Sequence, residues 1–216
     1  MTTMLQQISN VLSTQRIILA SGSPRRKLIL ENIGLKFEVV PSTFLEDLDK
    51  GSFDHPADYV KETARHKTLE IARKLASDSR PPDLIIGADT IVTLDGVIYE
   101  KPKDKQDAFK MLSKFSGRNH TVYTGICLVK PKFSDGEEFH VKLFHEGTEV
   151  RMTEMSSDVI NAYIDTGEPM DKAGGYGIQA IGGTLVEGIH GDYFNVMGFP
   201  LHKFSKELLK FYTNGL

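Results

Sequence analysis

The chain has 216 residues, 40% of them hydrophobic and 25% charged, with a formal net charge of −3 at neutral pH. This is enough chain for one large α/β domain with a proper core, and the charge argues against a general nucleic-acid binder, which is normally clearly basic. No stretch reaches the roughly 18 apolar residues of a membrane span, so any partner is expected in solution and any anion site must be local.

Residues 1–14 read as a polar lead-in, with a short helix at most. Their lack of a basic segment followed by an apolar core gives no secretory signal, and the expected compartment is the cytoplasm. RIILA (16–20) reads as a buried strand and residues 24–33 as a helix. Pro24 suits the first helical position and Gly34 the position just past the end. Two arginines follow Gly-Ser-Pro at once, where a helix N-terminus is already positive. At about 100° per residue, Ile29, Leu30 and Ile33 form one stripe with Arg26 in its middle, Arg25 on its flank and Lys27 pointing away. A covered arginine needs a partner. That partner is either a carboxylate elsewhere in the fold or a phosphate cradled by Ser21, Ser23, the turn amides and both guanidinium groups. The motif lacks the GKS or GKT of a Walker loop.

KFEVVP predicts a second strand, followed by a polar, acidic loop containing Glu46. A long helix is expected from Pro56 to Ser77. Its apolar face carries Val60, Ala64, Ile71 and Leu75, and Lys67 falls where a fifth apolar residue would stand. Lys67 therefore either snorkels at the stripe edge or points into a cleft. PPDLIIGADTIVTL is a strand ending in Asp95–Gly96, a hairpin signal, with VIYEKP as the return. Asp is a poor strand former, so Asp89 marks a bulge, a ligand contact or a buried structural carboxylate. It lies six residues before Asp95, and Lys101 five after Gly96, so the hairpin brings the two close. An aspartate beside a lysine stays ionised, as a base or a metal ligand requires.

Residues 104–116 read as a helix closed by Gly117. HTVYTGICLV and EFHVKLFHEGTEVRM read as antiparallel strands joined through KPKFSDGE, and residues 156–167 as another helix. The single cysteine, Cys127, excludes an internal disulfide and, set in an apolar run, reads as a core residue. DKAGGYGIQAIGG lets backbone approach a ligand closely, and the Gln179 amide can read a base edge or orient a phosphate. Short strands are expected at LVEGI and YFNVMG, and a final helix from Pro200. Crossovers mixed with hairpins make the fold α/β with a mixed sheet, and residues 15–216 a single domain. The seven histidines show no metal-ligand spacing. Any divalent metal would be held by Asp89 and Glu46, which favours Mg²⁺ or Mn²⁺ over Zn²⁺.

LASGSPRR, GADTIV followed by EKP, and DKAGGYGIQ, in this order, resemble the Maf family of nucleoside triphosphate pyrophosphatases from about Arg16 to Tyr212. The likeness is greatest to eukaryotic Maf domains of the acetylserotonin O-methyltransferase-like kind. The resemblance implies a twisted mixed sheet with flanking helices, and two lobes around a nucleotide-binding cleft as in inosine triphosphatases. It implies cleavage of a nucleoside triphosphate between the α and β phosphorus. Ser21, Arg25 and Arg26 would grip phosphates, Lys67 and Lys101 would neutralise them, and Asp89 would activate water directly or through a metal. Glu46 matches an acidic family position, although Leu45 stands where many members carry a second acid. Thr90, Gln179 and Arg25 fit the branch acting on dTTP and UTP, and the resemblance suggests a homodimer. Two other readings stay open: a nucleotide-binding regulator of cell division with little turnover, and a phosphate-ester hydrolase using the same cradle.

Overall fold

The computed structural model describes residues 3–131 and 138–213. The first half of the chain forms α1 (Ser9–Thr14), β1 (Ile17–Leu19), α2 (Pro24–Asn32), β2 (Glu38–Val39), α3 (Pro56–Leu75), β3 (Leu84–Leu94) and β4 (Val97–Tyr99). The second half forms α4 (Lys105–Phe115), β5 (Asn119–Pro131), β6 (Phe139–Met152), α5 (Ser157–Asp165), β7 (Val186–His190), α6 (Tyr193–Val196) and α7 (Leu201–Thr213). One seven-stranded sheet runs in the order β2-β1-β3-β5-β6-β7, with β4 paired to β3 beside this path. β1 pairs in parallel with β2 and β3, whereas β3, β5, β6 and β7 are antiparallel neighbours, so the sheet is mixed as expected.

The hairpin turns at Asp95 and Gly96, both with positive φ, as Asp-Gly in a tight two-residue turn requires. The turn expected between β5 and β6 falls largely on residues 132–137, outside the described residues. Cys127 is fully buried and its thiol is pushed up to about 12 by burial, as befits a core residue.

Two expectations are corrected. YFNVMG is not a strand: Asp192 accepts hydrogen bonds from the Phe194 and Asn195 amides and starts α6 there. Residues 1–14 are more than a polar lead-in. Leu5, Ile8 and Leu12 are almost completely buried, in one apolar cluster with Phe204, Leu208 and Phe211 of α7.

Helix α3 lies very close to the sheet. A Cβ on Gly87 would meet the Thr68 hydroxyl at 1.8 Å, and one on Gly125 would meet the Val60 carbonyl at 2.5 Å. Only glycine at these two strand positions allows the helix to settle at that height. The approach carries Lys67 down to the middle of β3. Two main apolar clusters result, one around β1, α2 and α7 and the other around α4, α5 and the far end of β3. A cavity of about 430 Å³ opens between them and is lined from both.

Candidate active site

Asp89 sits in the middle of β3, opposite Gly125 on β5, and is 5% exposed. Its Oδ1 accepts from Lys67 Nζ at 2.7 Å, and the same ammonium lies 2.7 Å from Glu46 Oε1. Lys67 thus points into the cleft rather than snorkelling to solvent. Burial pushes the Asp89 carboxyl above its ordinary range, against the pull of Lys67, and the neighbouring Glu46 charge adds to the rise. Glu46 is also partly desolvated, but the Lys67 charge and hydrogen bond outweigh this and hold its carboxyl below the usual range.

Glu46 belongs to the loop after β2, and that loop is tied to α3. Glu70, one turn beyond Lys67, accepts from the Thr43 and Phe44 amides at 3.1 Å each and from the Ser42 hydroxyl. Sequence reasoning passed over Glu70. Its only signal is an acid three residues after Lys67 on the same helix face.

Ser23 caps α2 by accepting from the Arg26 amide, and the Arg26 side chain then turns inward. Its guanidinium is half-buried at the cavity wall. Nε donates to the Gly198 carbonyl at 2.9 Å, Nη1 to Ser21 Oγ and the Ala88 carbonyl at 2.9 Å, and Nη2 to Thr90 Oγ1 at 3.0 Å. All four acceptors are uncharged, and among the described residues no carboxylate forms an ion pair with Arg26. The loss of solvation lowers its pKa while the nearby Asp89 charge opposes the drop. The carboxylate partner considered from the sequence is absent there among the described residues, and a half-buried cation remains at the cavity wall.

A chain of buried polar groups continues beneath Arg26. Thr90 Oγ1 lies 3.0 Å from Thr124 Oγ1, which donates to the Asn195 carbonyl, and Asn195 Nδ2 donates to Thr148 Oγ1 at 3.0 Å. Thr124, Asn195 and Thr148 were also missed. Asn195 sits in the segment read as a strand, so its inward position could not be seen.

Arg25 Nη1 pairs with Asp171 Oδ2 at 3.1 Å, and Lys172 pairs with the other Asp171 oxygen. Asp171 is partly desolvated, but the Lys172 hydrogen bond and the Arg25 charge hold it below the usual range. Gln179 lines the same cavity, and its side-chain amide has no protein partner among the described residues. Lys101 also lines the cavity but makes no ion pair with Asp89. The hairpin pairing stops at Val92 opposite Tyr99. The chain then leaves the sheet at Glu100, whose carboxylate accepts from Tyr59 and Lys50. The lysine beside Asp89 is therefore Lys67. All nine residues singled out from the sequence for this site line one cavity.

Its walls bring five cationic side chains (Arg25, Arg26, Lys67, Lys101, Lys172) against four carboxylates (Glu46, Asp89, Glu100, Asp171). That local balance suits an anion in a protein of net negative charge. A family model described as Maf-like protein matches residues 16–211.

The chain belongs to the Maf family.

Among curated Maf relatives, the chain is 56% identical over 200 residues to a human protein named "Probable bifunctional dTTP/UTP pyrophosphatase/methyltransferase protein". That match covers 92% of this chain and 32% of the relative, so the chain spans about a third of the human protein. It is 48% identical to a Clostridium perfringens dTTP/UTP pyrophosphatase, covering 89% of this chain and 95% of the relative. A Thermococcus onnurineus protein of the same name is 45% identical over 86% of this chain and 92% of its own length. Among solved structures, the Staphylococcus aureus Ham1 protein matches with a TM-score of 0.45 and 14% identity, over 93% of this chain and 99% of that one. Among the described residues no helix is long and apolar enough to cross a membrane.

Proposed function

We propose that this chain hydrolyses dTTP and UTP between the α and β phosphorus, releasing the nucleoside monophosphate and pyrophosphate. One observation carries the reading. Arg26 places a half-buried positive charge, held among the described residues only by neutral acceptors, beside the Lys67-linked carboxylates Asp89 and Glu46. Such a wall attracts a polyanion and keeps a base next to it. The names of relatives 44–56% identical over most of this chain supply the nucleotide.

In the proposed reaction a water attacks the α phosphorus and its proton passes to Asp89, while the bond from the α phosphorus to the bridging oxygen breaks and pyrophosphate leaves. Burial raises the Asp89 carboxyl, which makes it a stronger base. Lys67 fixes Oδ1 and leaves Oδ2, which has no hydrogen-bond partner among the described residues, for the water. Arg25 and Lys101 would offset charge on the departing phosphates. Gln179 would meet the O4 and N3–H edge of uracil or thymine.

Asp89 and Glu46 would hold Mg²⁺ or Mn²⁺ together with triphosphate oxygens. The residues fit a hard cation that shares its coordination with substrate, because Lys67 engages only one oxygen of each carboxylate, which leaves Asp89 Oδ2 and Glu46 Oε2 as hard donors, and no group of three or more ligating side chains is present among the described residues. When bound, the ion would draw charge from the leaving pyrophosphate. A homodimer is proposed on the family resemblance and a cytoplasmic location on the sequence pattern, and sedimentation of the purified chain tests the dimer.

The test is a panel of canonical and modified nucleoside triphosphates with Mg²⁺ or Mn²⁺, scoring pyrophosphate and phosphate separately. Pyrophosphate from dTTP and UTP, with little from purines, is the expected result. Tight binding without turnover would replace the enzyme with a nucleotide-binding regulator, and free phosphate would point to a phosphate-ester hydrolase.

A further inference from the structure

His120, the second residue of β5, is 3% exposed and plays no part in the chemistry above. Its Nε2 lies 2.6 Å from the hydroxyl of Tyr176, and its Nδ1 is buried without any partner. Either tautomer leaves something unsatisfied. If Tyr176 donates, the Nδ1 hydrogen has no acceptor; if Nε2 donates, the Tyr176 hydrogen has none. A buried polar group left short of partners costs stability, and a hydrophobic pair of the same shape would avoid that cost. Burial pushes the His120 pKa down to about 4, so the ring is neutral at physiological pH.

Tyr176 is the inward-pointing residue of the glycine loop. Gly174 and Gly175 before it both take φ of +71°, and the Gly174 amide donates to the Glu100 carbonyl at 3.0 Å, next to Lys101. Gly174 rests on Phe115, where a Cβ would come within 3.2 Å, and Phe115 packs on the His120 ring at 4.7 Å. On the far side of Tyr176, the Gly177 amide donates to the Tyr163 hydroxyl, which donates to Glu168. Glu168 also accepts from the Gly182 amide. The loop held by these anchors carries Gln179 into the cavity, and Lys172, two residues before the first anchor, lines it as well.

We propose that His120 and Tyr176 form a positioning pair whose hydrogen bond holds the glycine loop in the pose that presents Lys172 and Gln179 to the nucleotide. The proposal rests on the pyrophosphatase reading for its substrate, but its effect on the loop can be read without any substrate. The orphaned Nδ1 is then the cost of using histidine there: an apolar residue would pack as well but could not fix the tyrosine.

The variants are Tyr176→Phe, His120→Phe, the double variant and His120→Gln, whose amide can reach the same hydrogen bond. Each phenylalanine variant is expected to raise KM for dTTP about tenfold, the scale of one hydrogen bond, with kcat nearly unchanged. The double variant should do no worse than either single one, and His120→Gln should stay near the parent. Without nucleotide, amides 172–182 should exchange hydrogen faster in the phenylalanine variants, while the double variant, with both polar groups gone, melts no lower than the parent. Parental KM and exchange in the double variant would overturn the proposal, leaving the pair as packing. A KM that rises only as far as the melting temperature falls would do the same. Tyr176→Phe removes a single oxygen atom and carries the test if the double variant does not fold. Failure of the parent to release pyrophosphate would sink the reaction, yet exchange in the loop would still decide the pair.

Discussion

Asp89 and Lys67 show how two side chains divide one task. A carboxyl whose pKa rises on folding binds its proton more tightly in the folded state, so stability is lost as pH rises from the ordinary aspartate value of about 3.9 up through the raised folded value. Asp89 therefore costs stability at neutral pH. Asp89→Asn is expected to lower kcat by about 10²–10⁴, with little change in nucleotide affinity. In denaturant melts the variant should be at least as stable as the parent at pH 7, and this advantage should fade as the pH falls through the raised Asp89 value and be gone by about pH 4. A neutral-pH loss of stability would mean that Lys67 more than compensates burial. Lys67→Met acts in the opposite direction. It leaves a nearly buried carboxylate and a half-exposed one facing each other with no cation between them. The expected loss is about 2–3 kcal/mol at pH 7, shrinking in acid as Asp89 takes a proton. The same melts, run from pH 4 to 8, separate this from the pH-independent loss that simple repacking would give.

At the scale of elements, the site depends on how closely α3 lies against the sheet. Gly125→Ala would drive a methyl group into the Val60 carbonyl, and backbone cannot yield as a flexible side chain can. The expected cost is about 1–3 kcal/mol, with a fall in kcat/KM although residue 125 touches no substrate, because Lys67 and Glu70 move with the helix. Unchanged kcat/KM in a destabilised variant would separate helix height from catalysis. Most elements were legible because their signals are local. Pro24 and Pro56 open helices, Gly34 and Gly117 follow helix ends, and Asp95–Gly96 makes the hairpin. The height of α3 was not legible, since a glycine in a strand does not say what approaches it. The α6 segment misled for a different reason. Tyr, Phe and Val favour strands, and a four-residue helix has no periodicity to oppose them, so only the Asp192 cap marks it.

At the scale of the whole molecule, the site joins positions far apart in the chain: Arg26 meets Gly198, Arg25 meets Asp171 and Lys67 meets Asp89. Periodicity placed Arg26 and Lys67 on covered faces but could not name their partners. The three motifs gathered the residues into one site only through a family resemblance. The least legible part was the start of the chain. Leu5, Ile8 and Leu12 keep the three- and four-residue spacing of a helix face, but in so short and polar a run that spacing does not say what the face packs on; a 3-10 turn and a short helix bring them together beneath α7. Each buried Leu or Ile contributes about 1.5–3 kcal/mol before the entropy of ordering the segment is subtracted. Removing residues 1–14 should thus cost a net of about 2–4 kcal/mol and uncover Phe204, Leu208 and Phe211. None of these residues lines the cavity, so the truncated chain should keep the parental kcat and KM in the cold. Thermal inactivation should come several degrees earlier, and aggregation should follow at once because the uncovered surface is aromatic and aliphatic. If the truncated chain inactivated at the parental temperature, α7 would be holding the core alone and the first segment would only be covering it.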